Sequence, residues 1–247
     1  MIIEALVVSV DYADYLHFFL DFNIRYFDHL IVVTDIHDNA TIDLCKKYDG
    51  VECVQSKRLY ENGDLFNKGK AINDGIDKLW GTGWVVLMDS DIILLPNFRK
   101  TFIARLDKNK LYGIPRKECH TYEWKQYLHG NKLQRKHIFK NLDFVNCSGK
   151  FKHSPKQKKT IKKYGSRSGT KILGYLQMFH HSNFNNKNEY KYSERYGHAG
   201  TSDIIFMQKW ASKNRKVLRH MTAIHLAHGK PASNYRGRKS ELFSIDE

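Results

Sequence analysis

The chain has no run of 18 uninterrupted apolar residues, which excludes a transmembrane helix. It has four cysteines, Cys45, Cys53, Cys119 and Cys147, and no CxxC pair. That scarcity argues against a disulfide scaffold and a zinc site, and for reduced thiols in a cytoplasmic protein. No basic leader precedes Met1 to Val8, so the N-terminus reads as a first strand and not as a signal peptide. No internal repeat or long low-complexity tract is present. Acid is missing from one long stretch: Lys150 to Lys171 holds nine Lys/Arg and no Asp or Glu. With Gly165, Ser166, Ser168 and Gly169 inside it, this stretch reads as a mobile basic loop and not as a packed element.

What is present supports a core. The chain has 247 residues, 41% of them hydrophobic, and a formal net charge of +15. The charge is unevenly divided. Residues 1–110 carry 13 Lys/Arg against 17 Asp/Glu, a net of −4, and residues 111–247 carry 28 against 9, a net of +19. A positive excess confined to one half suits a polyanionic partner better than a general solubility surface.

The residues that organise the chain are Trp84-Val85-Val86-Leu87-Met88-Asp89-Ser90-Asp91. A short unbroken apolar run reads as a strand buried on both faces. Asp89 and Asp91 then sit at its C-terminal end, where open α/β sheets present ligands. Two carboxylates beside an apolar strand need a partner, and a divalent cation is one; the plain alternative is a loop with both turned to water.

Upstream, Ile3 to Val10 reads as a strand and Asp11 to Tyr15 as a turn. Leu16, Phe19, Leu20 and Ile24 recur at helical spacing. Leu30 to Thr34 is a second strand, a helix follows from about Ala40 to Tyr48, and Val51 to Val54 is a third strand. Such alternation predicts a mostly parallel sheet, with Asp11, Tyr12 and Asp35 at its ligand-binding rim. Asp35 is equally well read as a helix cap. Ile72, Ile76 and Leu79 mark a helix whose small residues Gly69 and Ala71 would let it approach the sheet. Lys68 and Lys70 lie at its N-terminus, where an anion would be favoured, though lysines there are commonly solvated.

Downstream, Asn97 to Leu106 reads as a helix, Lys110 to Ile114 as a strand and Gly174 to His180 as another. Gly197 to Trp210 reads as a Gly-rich loop feeding a helix. Asp203 lies in its first turn, either as a functional carboxylate or as a group that only favours the dipole. Val217 to Leu226 supplies closing strands, and His225 and His228 follow at a strand-to-loop passage. Beside an unpaired Asp-x-Asp these histidines are ligand candidates. The first boundary in character falls near 111–117. It divides residues 1–115 from residues 116–247, which hold the basic loop and a C-terminal segment. Both belong to one integrated domain.

In this order the pieces resemble the GT-A nucleotide-sugar glycosyltransferases of the family 2 type. The matching features are Val8 to Tyr12, the Asp35 turn, Asn67-Lys68-Gly69-Lys70-Ala71-Ile72-Asn73-Asp74-Gly75, Asp89-Ser90-Asp91, Asp203 and the His225/His228 segment. The resemblance implies an α/β, Rossmann-like GT-A fold with a mostly parallel central sheet flanked by helices, in which residues 1–115 are the nucleotide-sugar-binding half and residues 116–247 the acceptor-binding half. It implies that Val8, Val10, Asp11, Tyr12, Asp35, Lys68, Asn73, Asp89 and Ser90 hold the nucleotide sugar, with UDP favoured. Arg236 and Arg238 would reach its diphosphate. Asp89 and Asp91 would bind Mn²⁺ or Mg²⁺, with His225, or alternatively His228, as a further ligand. Asp203 aligns with the general base of inverting members. The usual Glu-Asp pair before that helix is here Ser202-Asp203.

The family does not name the acceptor. Basic residues interleaved with aromatics suit nucleic acid, since phosphates meet Lys/Arg and an exposed base stacks on a ring. The expected acceptor site therefore comprises Trp124, Tyr175, Gln177, Lys158, Lys159, Lys162 and Lys163, with Tyr122, Phe179 and Tyr235 as further rings. The expected acceptor is a hydroxymethylated base in DNA, as for some phage enzymes, which would place the protein in the host cytoplasm. Neither membrane insertion nor an obligate protein partner is expected. Two rival readings are transfer to an anionic surface glycan or lipid-linked precursor, and a nucleic-acid-binding protein on an inactive GT-A scaffold.

Overall fold

A computed structural model describes residues 1–96, 98–103, 106–144, 149–150, 170–197 and 201–228. The chain opens with strand β1 (Ile3–Val8), helix α1 (Ala13–Asn23), strand β2 (His29–Asp35), helix α2 (Asn39–Cys45) and strand β3 (Val51–Ser56). Helix α3 (Lys68–Ile76) leads to β4 (Trp84–Asp89), which ends at the first carboxylate of the Asp-x-Asp, and to β5 (Ile92–Leu94). Then come α4 (Phe98–Ile103), β6 (Leu111–Gly113), β7 (Arg116–Cys119), α5 (Thr121–His129) and α6 (Lys132–Asn141). A two-residue pair, β8 (Gly149–Lys150) and β9 (Thr170–Lys171), precedes β10 (Leu176–His180), helix α7 (Ser202–Met207), β11 (Arg215–Val217) and β12 (Ala223–Leu226).

The main sheet has seven strands in the order β11-β6-β10-β4-β1-β2-β3. The pairs β4–β1, β1–β2, β2–β3 and β11–β6 are parallel, and β10 runs antiparallel to both of its neighbours. The expected α/β architecture with a mostly parallel sheet and flanking helices is therefore the one observed. A second sheet, β5-β12-β7, stands beside the end of β4.

Successive strand residues point to opposite faces, and both faces are filled. Ile3, Ala5, Val7, Trp84, Val86 and Met88 pack with Leu16, Phe19 and Leu20 of α1. Leu6, Val8, Val85 and Leu87 pack with Ile72 and Ile76 of α3 and Phe206 and Met207 of α7. Each fully buried Val, Leu, Ile, Phe or Met side chain among them contributes about 1.5–3 kcal/mol. This double burial explains why β4 is an unbroken apolar run.

The α3 face reads as expected at Ile72 and Ile76, and Leu79 continues it in the turn after the helix; all three are buried. Its closest approach to the sheet is made elsewhere. A Cβ at Gly75 would lie 2.5 Å from Leu6 Cδ1 and 2.7 Å from Val33 Cγ2, whereas Gly69 faces the Ser193 carbonyl. Asn67 caps α3 by accepting the Lys70 N–H at 3.0 Å.

Two contacts place the Asp-x-Asp turn. Buried Asn23 at the end of α1 donates to the Ile92 carbonyl at 2.7 Å and accepts the Leu94 N–H at 2.8 Å. The Asp91 carbonyl accepts the Leu226 N–H at 2.9 Å, so β12 brings its C-terminal end beside Asp91.

Candidate active site

A cavity of about 340 Å³ opens where β1, α3, β4, the Leu173–Tyr175 segment and α7 converge. Among the expected residues, Val8, Val10, Tyr12, Lys68, Asp89, Ser90, Asp91, Tyr175, Asp203 and His228 line it. Residues from positions 8 to 228 thus meet on one surface, at the C-terminal ends of β1 and β4.

One end holds a carboxylate and two imidazoles. His225 Nε2 is 3.4 Å and His228 Nε2 3.1 Å from Asp91 Oδ2. Ligand atoms of the three residues lie within 4.8 Å of one another. Burial would raise the Asp91 carboxyl, but the two histidines outweigh it and hold Asp91 far below the usual carboxylate range. Asp91 Oδ1 and His225 Nδ1 are buried without a hydrogen-bond partner, although the Glu118 carboxylate stands 3.7 Å from that nitrogen. Buried polar atoms are normally satisfied, and one oxygen with two nitrogens is a ligand set suited to a divalent transition ion. The residues therefore fit a bound cation. His225 and His228, expected as alternative ligands, both face Asp91. Asp89 stands apart from this trio and is ion-paired with Lys68 Nζ.

The other end holds Asp203, at the start of α7. Its Oδ2 accepts the Gly174 N–H at 2.7 Å. A Cβ on Gly174 would fall 2.5 Å from the Asp203 Cβ, so only glycine fits there. Gln177 Nε2 donates to the Asp203 carbonyl at 3.2 Å and to the Ile172 carbonyl at 3.0 Å, and the Tyr192 hydroxyl donates to Gln177 Oε1. Thr201, two residues before, holds φ at 76°, a costly backbone state for a β-branched residue. Burial pushes the Asp203 carboxyl up; Gly174 and Lys68 pull against it, and the net shift is upward. Lys68 lies between the two ends. Burial would lower its pKa, but the carboxylates of Asp89, Asp203 and Asp91 keep it above its ordinary value, as an ammonium ion.

Several expected residues do other work. Asn73 does not line the cavity; it accepts the Tyr192 N–H at 2.7 Å and donates to the Tyr192 carbonyl and to Glu194, tying that segment to α3. Trp124 is fully buried against Phe18, Phe22 and Tyr127, so its ring is closed to an acceptor. Gln177 and Phe179 are also fully buried, and Gln177 acts beneath Asp203. Lys70 turns away to Asp64 at 2.9 Å. Asp11 and Asp35 stand at the rim without lining the cavity. Burial, then Asp38, then Asp35 raise the Asp11 carboxyl. The cap of α2 is Asp38 and not Asp35: it accepts the Thr41 N–H at 3.1 Å, the Thr34 hydroxyl at 2.9 Å and the Asp11 N–H at 2.8 Å, holding Asp11 at φ 57°. Lys158, Lys159, Lys162, Lys163, Tyr235, Arg236 and Arg238 lie outside the described residues.

Sequence reasoning missed Arg116, which lines the cavity with its guanidinium carbon 4.3 Å from the Tyr175 ring centroid. It also missed Ser202 and Tyr192 on the walls. A lone arginine opening a strand in a basic half carries no spacing signal.

The Glycosyl transferase family 2 profile matches residues 6–162, more than half of the chain. The chain belongs to glycosyl transferase family 2. No curated protein matches this family 2 chain. Among solved structures it is similar to glucosyl-3-phosphoglycerate synthase from Mycobacterium tuberculosis in complex with Mn²⁺, UDP-glucose and phosphoglyceric acid. That match is 12% identical, with a TM-score of 0.54, over 93% of this chain and 73% of that chain. It is also similar to GalNAc-T7 with UDP, GalNAc and Mn²⁺, at 10% identity and a TM-score of 0.57, over 92% of this chain and 44% of that one. Likeness at such identity speaks for the fold. The family 2 chain spans less than half the length of several similar proteins, including 41% of mannosyl-3-phosphoglycerate synthase from Rubrobacter xylanophilus.

Proposed function

We propose that this family 2 protein moves a sugar from a nucleoside-diphosphate sugar, UDP-linked by preference, to a hydroxyl acceptor with inversion. The observation that carries the reading is one cavity with two unlike aspartates. Asp91 sits among imidazoles and is held ionised; Asp203 is a half-buried carboxylate with a raised pKa. Asp91, His225 and His228 would hold Mn²⁺ or Mg²⁺, which neutralises diphosphate charge when bound. The M. tuberculosis synthase and GalNAc-T7, both seen with UDP or UDP-sugar and Mn²⁺, support the choice of donor and ion.

The remaining steps use this chain's own groups. Asp203, fixed by Gly174 and Gln177, takes the proton of the acceptor hydroxyl. That oxygen forms a bond to the anomeric carbon. The bond from that carbon to the diphosphate oxygen breaks, and the diphosphate leaves with the electron pair. Lys68 supplies positive charge between the two aspartates, near the departing oxygens. Val8, Val10 and Tyr12 form the wall on which the nucleoside lies, beside Asp11 and Asp35.

The test is release of nucleoside diphosphate from a panel of nucleotide sugars, with Mn²⁺ and with a chelator. Metal-dependent turnover of a UDP-sugar is expected, as is its loss in Asp203→Asn when an acceptor is present. Absence of turnover with every donor and metal would overturn the reading and favour an inactive scaffold.

Transfer to a hydroxymethylated DNA base is the second reading, and the net +19 of residues 111–247 favours it. Its stacking platform is reduced: Trp124 and Phe179 are core residues, Tyr175 is a buried cavity wall, and Tyr122 stays exposed. Transfer of labelled sugar to hydroxymethylated duplex, against free glycans and lipid-linked acceptors, separates this acceptor from its rivals.

A further inference from the structure

The helical pair α5–α6 carries an outward face that its own core does not explain. Trp124 and Tyr127 of α5 are buried, and Ile138 and Phe139 of α6 pack inward against the same cluster. Flanking Phe139 on α6, Lys132, Lys136 and Lys140 recur every fourth residue, and all three are exposed. The neighbouring stripe is Leu133 and His137, also exposed. No acid occurs in α6. The one acid of α5, Glu123, is occupied in accepting the His120 N–H at 2.8 Å.

Apolar side chains stand among these charges. Of the seven exposed large hydrophobic side chains among the described residues, three are here, and Leu133 is the most exposed of all at 76%. Tyr122, at 72%, donates nothing to the core and bonds Gln126, which shares a groove with Leu133, His129 and His137. Phe144, at 61%, lies 5.0 Å from Lys117 Nζ, which bonds the Lys140 carbonyl at the end of α6. Tyr122 and Leu133 thus stand on the α5–α6 pair and Phe144 just past its end, among these lysines, with exposed Asp143 the acid beside Phe144.

The geometry points to this surface as a docking face for an anionic lipid membrane, with Leu133 and the two rings entering the headgroup boundary. A lysine stripe beside an aliphatic side chain is what such an interface needs: the ammonium groups meet lipid phosphates while the apolar groups leave water. A nucleic-acid backbone would use the lysines but gives an exposed leucine no partner. The face lies outside the cavity, so docking and transfer are separable.

The test is flotation of the full chain with vesicles of phosphatidylcholine alone and with 30–40%, roughly, phosphatidylglycerol added, in low and high salt. Binding to the anionic vesicles alone, weakened by salt, is expected. Lys132→Glu/Lys136→Glu/Lys140→Glu should lower the partition coefficient by about a hundredfold. Leu133→Asp should lower it by roughly tenfold. Both variants should keep the parent's melting temperature and UDP-sugar turnover. Failure to bind anionic vesicles, or binding that neither variant weakens, would overturn the proposal. So would loss of DNA binding in these variants with vesicle binding intact, which would make the face a nucleic-acid surface. A shift from dimer to monomer in Leu133→Asp, with vesicle binding intact, would make it a contact between two copies.

Discussion

The two ends of the cavity take the same side chain in opposite directions. Asp91 is closed in by β12, and the two imidazoles that face it favour its charge. Asp203 is closed in by α7 and Gly174, and burial disfavours its charge more than the Gly174 and Ile204 N–H groups and Lys68 restore it. Burial acts at both sites. The balance with the partners decides the sign: two imidazoles in direct contact outweigh burial at one end, whereas backbone N–H groups and the Lys68 charge do not outweigh it at the other. Two carboxyl groups pushed apart in this way are what the proposed division between charge stabilisation and proton transfer requires.

The largest expected effect comes from removing the proposed base. Asp203→Asn should cut transfer to an acceptor by about 10²–10⁴-fold. The amide oxygen still accepts the Gly174 N–H, so the fold should persist. The folded-state pKa of Asp203 lies above its free value, so its contribution to stability is present at low pH and lost as pH rises through that raised pKa. Asp203→Asn should therefore melt no lower than the parent at pH 7. A lower melting temperature with transfer intact would make Asp203 a structural residue and end the contrast.

The metal end comes next. Changes even to the partners of metal ligands cost about 10–100-fold in metal affinity, and loss of a ligand should cost no less. His228→Ala should raise the Mn²⁺ concentration needed for half-maximal turnover by at least that factor, and excess Mn²⁺ should restore turnover in part. Asp203→Asn should leave the Mn²⁺ requirement unchanged. If both variants move it equally, the two ends are not separate.

Smaller effects lie in the pH profile. Transfer needs ionised Asp203, so activity should rise with pH through a limb lying above the ordinary carboxylate range. Asp91, held far below that range, adds no limb at such pH. Lys68→Met removes a charge that lowers the Asp203 pKa, so the acid limb should move to higher pH. A limb that stays in place would show that Lys68 serves Asp89 alone.

The first half was readable because its physics is local. An apolar run covered on both faces, helical spacing at Ile72, Ile76 and Leu79, and a polar turn after each strand are properties of neighbouring residues. Asp89 and Asp91 are readable as unpaired acids at the end of an apolar run, whereas Asp203 reads only as a helix-start acid until the family resemblance is added. Other roles depend on what folding brings near. Trp124 reads among charges as a binding ring, yet Phe18 and Phe22 of α1 enclose it. Asn73 reads as a ligand contact, yet its partner is Tyr192, 119 residues away. Gly69 and Gly75 look alike in sequence, and only the position of Leu6 and Val33 distinguishes them.

By itself the sequence determined the alternation of strands and helices, the placing of the Asp-x-Asp at a strand end, and the accumulation of positive charge beyond residue 110. Each follows from composition and short-range periodicity, which survive without contacts. Only the tertiary structure decided that His225 and His228 both face Asp91, that Gly174 and Gln177 hold Asp203, and that Arg116 reaches the same cavity. Those outcomes need β10 inserted antiparallel between β4 and β6, and β12 laid against β5. Pairings between residues far apart in the chain leave no local pattern, because their free energy is gained only when burial and hydrogen bonding are completed together.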